Sequence, residues 1–78
     1  MELKFIEVAF CLDSDWEKDP KYTRVIESWG DSLIAPQKGD SVILDDEGHR
    51  GYYEVVHREF HNEASVTCVV KFVKKYYE

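Results

Sequence analysis

The sequence predicts a mostly β (α+β) single domain: a small antiparallel sheet curled on itself, with one helix over about residues 20–29. Three observations carry that expectation. The runs 41–44, 51–60 and 65–74 are apolar, rich in β-branched residues and separated only by short turns, the spacing of an antiparallel meander. The run 3–12 adds a strand with apolar side chains in both phases. At 78 residues a chain buries only about 60% of its unfolded surface, so a curled sheet or small SH3-like barrel is the economical way to protect its edges, with an open sheet carrying the helix across one face as the main alternative.

Leu3 to Leu12 reads as the first strand. One phase carries Ile6, Val8, Phe10 and Leu12, the other Phe5, Ala9 and Cys11 with Glu7 intruding. Apolar groups in both phases imply cover on both faces for part of its length. Asp13-Ser14-Asp15 then breaks the strand, because short polar side chains compete for the backbone. Over 19–30, Asp19 can cap a helix that opens on Pro20 and closes on Gly30. Tyr22, Val25, Ile26 and Trp29 fall at i, i+3, i+4 and i+7, one helix face. The same residues are good strand formers, but neither strand phase is clean, so period outweighs propensity and a helix is expected.

Residues 31–40 hold Pro36 and Gly39 and read as a loop with Leu33 and Ile34 tucked beneath it. Ser41 to Leu44 is a short strand, Asp45 to Gly48 a turn whose glycine supplies positive φ. Gly51 to Phe60 and Ser65 to Lys74 are the last strands, joined by a turn at 61–64.

Pro36-x-x-Gly39-Asp40-x-Val42, a turn, then Tyr53-x-Val55-Val56-x-Arg58-x-Phe60 and a valine-rich terminal strand resemble a pattern in small bacterial and phage-borne proteins, often of mobile DNA. The resemblance covers about residues 36–73. It implies a small β-barrel or curled sheet and a binding role, with no catalytic residues to carry over.

Composition narrows the function classes. Ten Lys and Arg against sixteen Asp and Glu give a net charge of −6, which works against binding a phosphate backbone. Residues 1–49 hold twelve acids and five bases, residues 50–78 four acids and five bases, so the excess negative charge lies in the first two thirds. No apolar run reaches the length of a membrane span, and the start of the chain lacks a basic region and an apolar run of signal length. A cytoplasmic protein without a membrane partner is expected. Cys11 and Cys68 have no metal-ligand spacing and read as reduced, buried thiols.

The sharpest polar motif is His57-x-Glu59-x-His61. Alternate strand residues share a face at about 6–7 Å spacing, too spread for zinc, whose nitrogen ligands sit at about 2.1 Å. It reads as a polar strand face. Cys68 shares its phase with Val66, Val70 and Phe72, which places it in the core rather than beside a histidine base. The acids at 13–15 and 45–47 match no calcium loop. No cofactor, metal or enzymatic activity is expected.

Aromatics are the stronger signal. Trp16, Tyr22, Trp29, Tyr52, Tyr53, Tyr76 and Tyr77 exceed what a thin core encloses, and Trp and Tyr dominate interface hot spots. Trp16, set among acids, either folds back over the sheet or stands out as an anchor. The leading expectation is therefore a non-enzymatic interaction module that binds a protein partner or self-associates through these residues. A nucleic-acid-binding domain using Arg50, Arg58, Lys71, Lys74 and Lys75 with Tyr52 or Tyr53 is the second expectation. The third is an acidic mimic that presents the carboxylates of 13–31 and 45–47 to a basic protein.

Overall fold

A two-residue turn fixes the register of the meander. Glu47 and Gly48 both hold positive φ, 52° and 86°, the geometry of a hairpin turn whose twist matches its strands. The computed structural model describes residues 5–19, 23–62 and 64–76. In chain order the elements are β1 (Phe5–Leu12), α1 (Asp13–Lys18), β2 (Val25–Ser32), β3 (Ser41–Asp46), β4 (His49–Asn62) and β5 (Ser65–Lys75). The five strands form one open sheet, ordered β2-β1-β5-β4-β3. The described residues are thus mostly β with one small helix. Its first and last strands lie side by side and parallel, while β1–β2, β3–β4 and β4–β5 are antiparallel.

The helix expected over 20–29 is corrected. Pro20 to Tyr22 lie outside the described residues, and Val25–Ser32 is strand. The reason is a bulge. Phe10 faces Glu27 and Cys11 faces Val25, so Ile26 is an extra residue opposite no partner, which resets the two-residue period. Ile26 and Trp29 consequently both pack on the core, three positions apart, and imitate a helical spacing. The helix instead occupies Asp13–Lys18, with Asp13 and Asp15 in its first turn and Lys18 in its last, signs that complement the helix dipole.

The inner face of the curled sheet holds Val8, Phe10, Val42, Leu44, Tyr53, Val55, Val66, Cys68 and Val70 as one buried cluster. On the other face Ala9, Cys11 and Val69 are also buried, where α1 packs on β1 and β5. Burying each large apolar side chain contributes about 1.5–3 kcal/mol. Gly51 is required by a close approach: a Cβ there would sit 2.8 Å from Phe72 Cε2 and 3.3 Å from the Lys74 carbonyl. Its absence lets Phe72 cross β4 to meet Tyr53 edge-on, with centroids 5.5 Å apart.

The Pro36-to-Val42 motif builds the entry to β3. Pro36 is buried, Gln37 N–H donates to Asp40 Oδ2 at 2.8 Å and Asp40 N–H donates back to the Gln37 carbonyl at 2.9 Å. Gly39, at φ 95°, donates to the Val55 carbonyl at 2.8 Å, and Val55 N–H donates to that of Asp40 at 3.0 Å.

Edges β2 and β3 approach each other, but side chains bridge them where a barrel would have a backbone ladder. Glu27 accepts from Asp45 N–H at 3.0 Å through Oε1 and from the Trp29 indole at 2.7 Å through Oε2. Arg24 donates to both carboxylate oxygens of Asp46 at 2.9 and 3.2 Å. The sheet therefore has a seam, clasped at the β3–β4 turn.

Candidate functional site: an aromatic strip on the outer sheet face

On β3, Val42 and Leu44 point inward and are buried, so Ile43 between them points out and is 47% exposed. Ile43 lies directly across from Tyr52, and Tyr52 across from Lys74. Directly opposed residues share a face. Tyr76 continues the row: its ring stacks on Tyr52 with centroids 5.5 Å apart and planes 25° from parallel. The Lys74 ammonium lies 5.4 Å from the centroid of the Tyr52 ring, within cation–π range. Tyr76 N–H donates to the Arg50 carbonyl at 3.1 Å, which fixes the end of the strip. Ser41, Glu54 and Lys71 flank it on one side and Asp45 and Arg50 on the other, giving an apolar centre with a rim of mixed charge.

The aromatic set from the sequence divides accordingly. Tyr52 and Tyr76 form the strip. Tyr53 is 5% exposed and belongs to the core, so its place among partner-binding or stacking residues is corrected: Tyr53 faces the inner side of β4 with Val55. Burial also raises the Tyr53 hydroxyl pKa, with Asp46 adding to the effect. Trp29 is half-buried and meets Phe10 edge-on at 4.7 Å, a packing role. Trp16 is half-buried on α1 with its ring 5.9 Å from that of His57, so it folds back onto the sheet. Tyr22 and Tyr77 lie outside the described residues.

His57, Glu59 and His61 follow a second bulge, where Val55 faces Val70 and His57 faces Val69. Their face is the one α1 covers. His57 is taken by Trp16, and His61 Nε2 lies 2.7 Å from Thr67 Oγ1. Glu59 and His61, with Cys11, Trp16 and Thr23, line a cleft of about 250 Å³. Among the described residues no three His, Cys, Asp or Glu side chains are grouped to hold a metal ion, and no helix is long and apolar enough to cross a membrane.

Cys11 and Cys68 are buried and free. They sit on adjacent strands, yet Cys11 pairs with Val69 and Phe10 with Cys68, so the two thiols point to opposite faces. Burial, reinforced by Cys68, Asp15 and Glu59, pushes the Cys11 thiol up to about 11, and burial likewise raises Cys68. A thiol above its ordinary value is a poor nucleophile at neutral pH. At pH 8 the native protein is expected to leave an aromatic disulfide reagent unreacted, whereas urea-unfolded protein releases two equivalents. The folded state holds the Cys11 proton past the unfolded value of 9.0, so stability from this group is complete below pH 9. It is lost as pH rises toward 11. Denaturant midpoints measured from pH 8 to 11 check that slope.

The basic residues are dispersed. Lys74 lies in the strip and Lys71 and Arg50 flank it on opposite sides, whereas the Arg58 guanidinium lies 5.1 Å over the Phe60 ring. Lys75 lines a different cleft, of about 580 Å³, beside Asp46 and Glu47. Two residues that shape the strip and the seam were not singled out in the sequence. Ile43 was discoverable as the outward phase between Val42 and Leu44. Glu27 carries no local signal, because its donors come from the fold.

Comparison of the chain with protein-family models, with curated proteins and with solved structures finds no match.

Proposed function

We propose that this domain is a non-enzymatic interaction module that binds a protein partner through the outer strip formed by Ile43, Tyr52, Lys74 and Tyr76. The observation that carries the reading is the strip itself: two stacked tyrosines beside an exposed isoleucine, ringed by polar and charged side chains. That is the anatomy of an interface hot spot, an aromatic centre within a polar rim. Stacking holds each ring in place before the partner arrives, which lowers the ordering cost of association.

A second reading rests on the same rings. Stacked tyrosines with Lys74 and Lys71 alongside also suit a single-stranded nucleic acid. Glu54 directly across from Lys71 and the dispersal of Arg58 and Lys75 place it second.

The test is recovery of partners by the tagged protein from lysate of the cells that encode it, with and without nuclease. Tyr52→Ala/Tyr76→Ala is run in parallel. The proposal expects nuclease-resistant protein partners, reduced at least tenfold by the double substitution while circular dichroism is unchanged. Recovery that disappears with nuclease supports the second reading, and partners unchanged in the double variant contradict the first.

A further inference from the structure

We propose that the seam between β2 and β3 accepts an extended basic peptide as a sixth strand, hydrogen-bonded to the free edge of β3. The inference rests on the interaction-module reading only in taking the partner to be a polypeptide, since it uses a different surface from the aromatic strip.

The edge is defined by alternation. In an antiparallel pair, successive residues direct their backbone groups alternately toward and away from the neighbouring strand. The Asp40 carbonyl accepts from Val55 on β4, whereas Asp45 N–H turns away to Glu27 on β2. Even positions of β3 therefore serve the β4 ladder, and Ser41, Ile43 and Asp45 face the seam. Asp45 is occupied by Glu27. Ser41 and Ile43 offer their N–H and C=O groups to whatever lies beside them, the requirement for strand addition.

The seam is clasped by Glu27–Asp45 and Arg24–Asp46 at one end. Toward Ser41 it opens into a groove of about 460 Å³ with Trp29, Ile34, Pro36 and Val42 in its walls and Asp40 and Ser41 at its lip. That volume falls in the range of about 300–1,000 Å³ for ligand clefts. It gives a place for an inward side chain of the added strand, against the Trp29 ring. Ile34 at the groove is 68% exposed.

Charge selects the occupant. Residues 24–47, which carry both edges and the connection between them, hold Glu27, Asp31, Asp40, Asp45, Asp46 and Glu47 against Arg24 and Lys38. Six acids less two bases leave −4, and Arg24 is already engaged by Asp46. A cationic strand gains Coulomb energy there. A second copy of this chain carries net −6 and meets repulsion, so the occupant is a different, basic polypeptide.

The experiment titrates 15N-labelled protein with the capped peptide Lys-Val-Lys-Val-Lys-Val-Lys. Two controls are its Glu-for-Lys counterpart and the same basic peptide N-methylated at alternate residues. The expected result is binding that shifts the Ser41 and Ile43 amides and the Trp29 indole and weakens with added salt. Both control peptides should bind at least tenfold more weakly. Ser41→Pro removes one seam-facing donor at the first residue of an edge strand, where proline is tolerated, and is expected to lose binding by a similar factor. The N-methylated peptide makes the same test on unaltered protein should that variant fail to fold. Absent binding, indifference to N-methylation, shifts confined to Tyr52 and Tyr76, or a protein already dimeric at the seam would each overturn the proposal. Loss of lysate partners in Tyr52→Ala/Tyr76→Ala with no peptide binding defeats this inference alone. Peptide binding without lysate partners defeats the strip alone.

Discussion

Phe10→Ala is expected to destabilise the domain by about 3–5 kcal/mol, the range for emptying a buried phenylalanine site. Phe10 is fully buried on β1, the strand between β2 and β5. It packs edge-on against Trp29 across the sheet's curl. An edge-to-face pair adds about 0.5–1.5 kcal/mol beyond area burial. The core has nine members in its main cluster, and strands flanked by their ladders cannot collapse into the void. Small domains have about 5–15 kcal/mol in total, so this one substitution removes a large share. Urea titration followed by tryptophan fluorescence should show a lowered midpoint with an unchanged slope, and Phe10→Leu should restore most of the loss. A midpoint shift under 1 kcal/mol would mean that the curl is not held by this contact.

Glu27→Ala is expected to cost about 1–3 kcal/mol, because hydrogen bonds to a charged group contribute about 1.5–3 kcal/mol each and Glu27 is only half-buried. One carboxylate satisfies donors on both sides of the seam, and its removal orphans the half-buried Trp29 indole. Tryptophan emission should shift to longer wavelength as the seam relaxes. Arg24→Ala is the comparator: Arg24 itself is exposed to solvent, and such surface pairs contribute about 0–1 kcal/mol, so Glu27→Ala should have the larger effect. The Arg24 hydrogen bond holds the Asp46 carboxyl below its ordinary value of 3.8. Its contribution is therefore present above the unfolded value and lost as pH falls through the folded one. Equal effects from the two substitutions would assign the clasp to the ion pair instead.

The strands of the meander were legible because β3 and the buried stretch of β5 keep a two-residue period beside short turns. Val42 and Leu44, and Val66, Cys68 and Val70, are buried in the phase that their alternation predicts. What the sequence concealed sits at bulges. Ile26 on β2 and the offset before His57 on β4 shift the inward phase by one residue, and a pattern read at period two cannot register such a shift. The helix was hidden for another reason: Asp13-Ser14-Asp15 favours a chain break and a helix N-terminus alike. For the candidate site, Tyr52 and Tyr76 were recognisable by residue type, but their stacking, the outward phase of Ile43 and the exclusion of Tyr53 depend on cross-strand register. The seam depends on long-range topology, since Glu27 and Asp45 are eighteen positions apart.

The most direct test of the open seam is amide hydrogen exchange of β3 by NMR in the free protein. Val42 and Leu44 face the β4 ladder, whereas Ser41 and Ile43 face the gap. The structure predicts slow exchange at Val42 and Leu44 and exchange at Ser41 and Ile43 faster by orders of magnitude, with Asp45 between them. Equal protection at all five residues would contradict it, because β2 and β3 would then be joined by their backbones and the sheet would be closed.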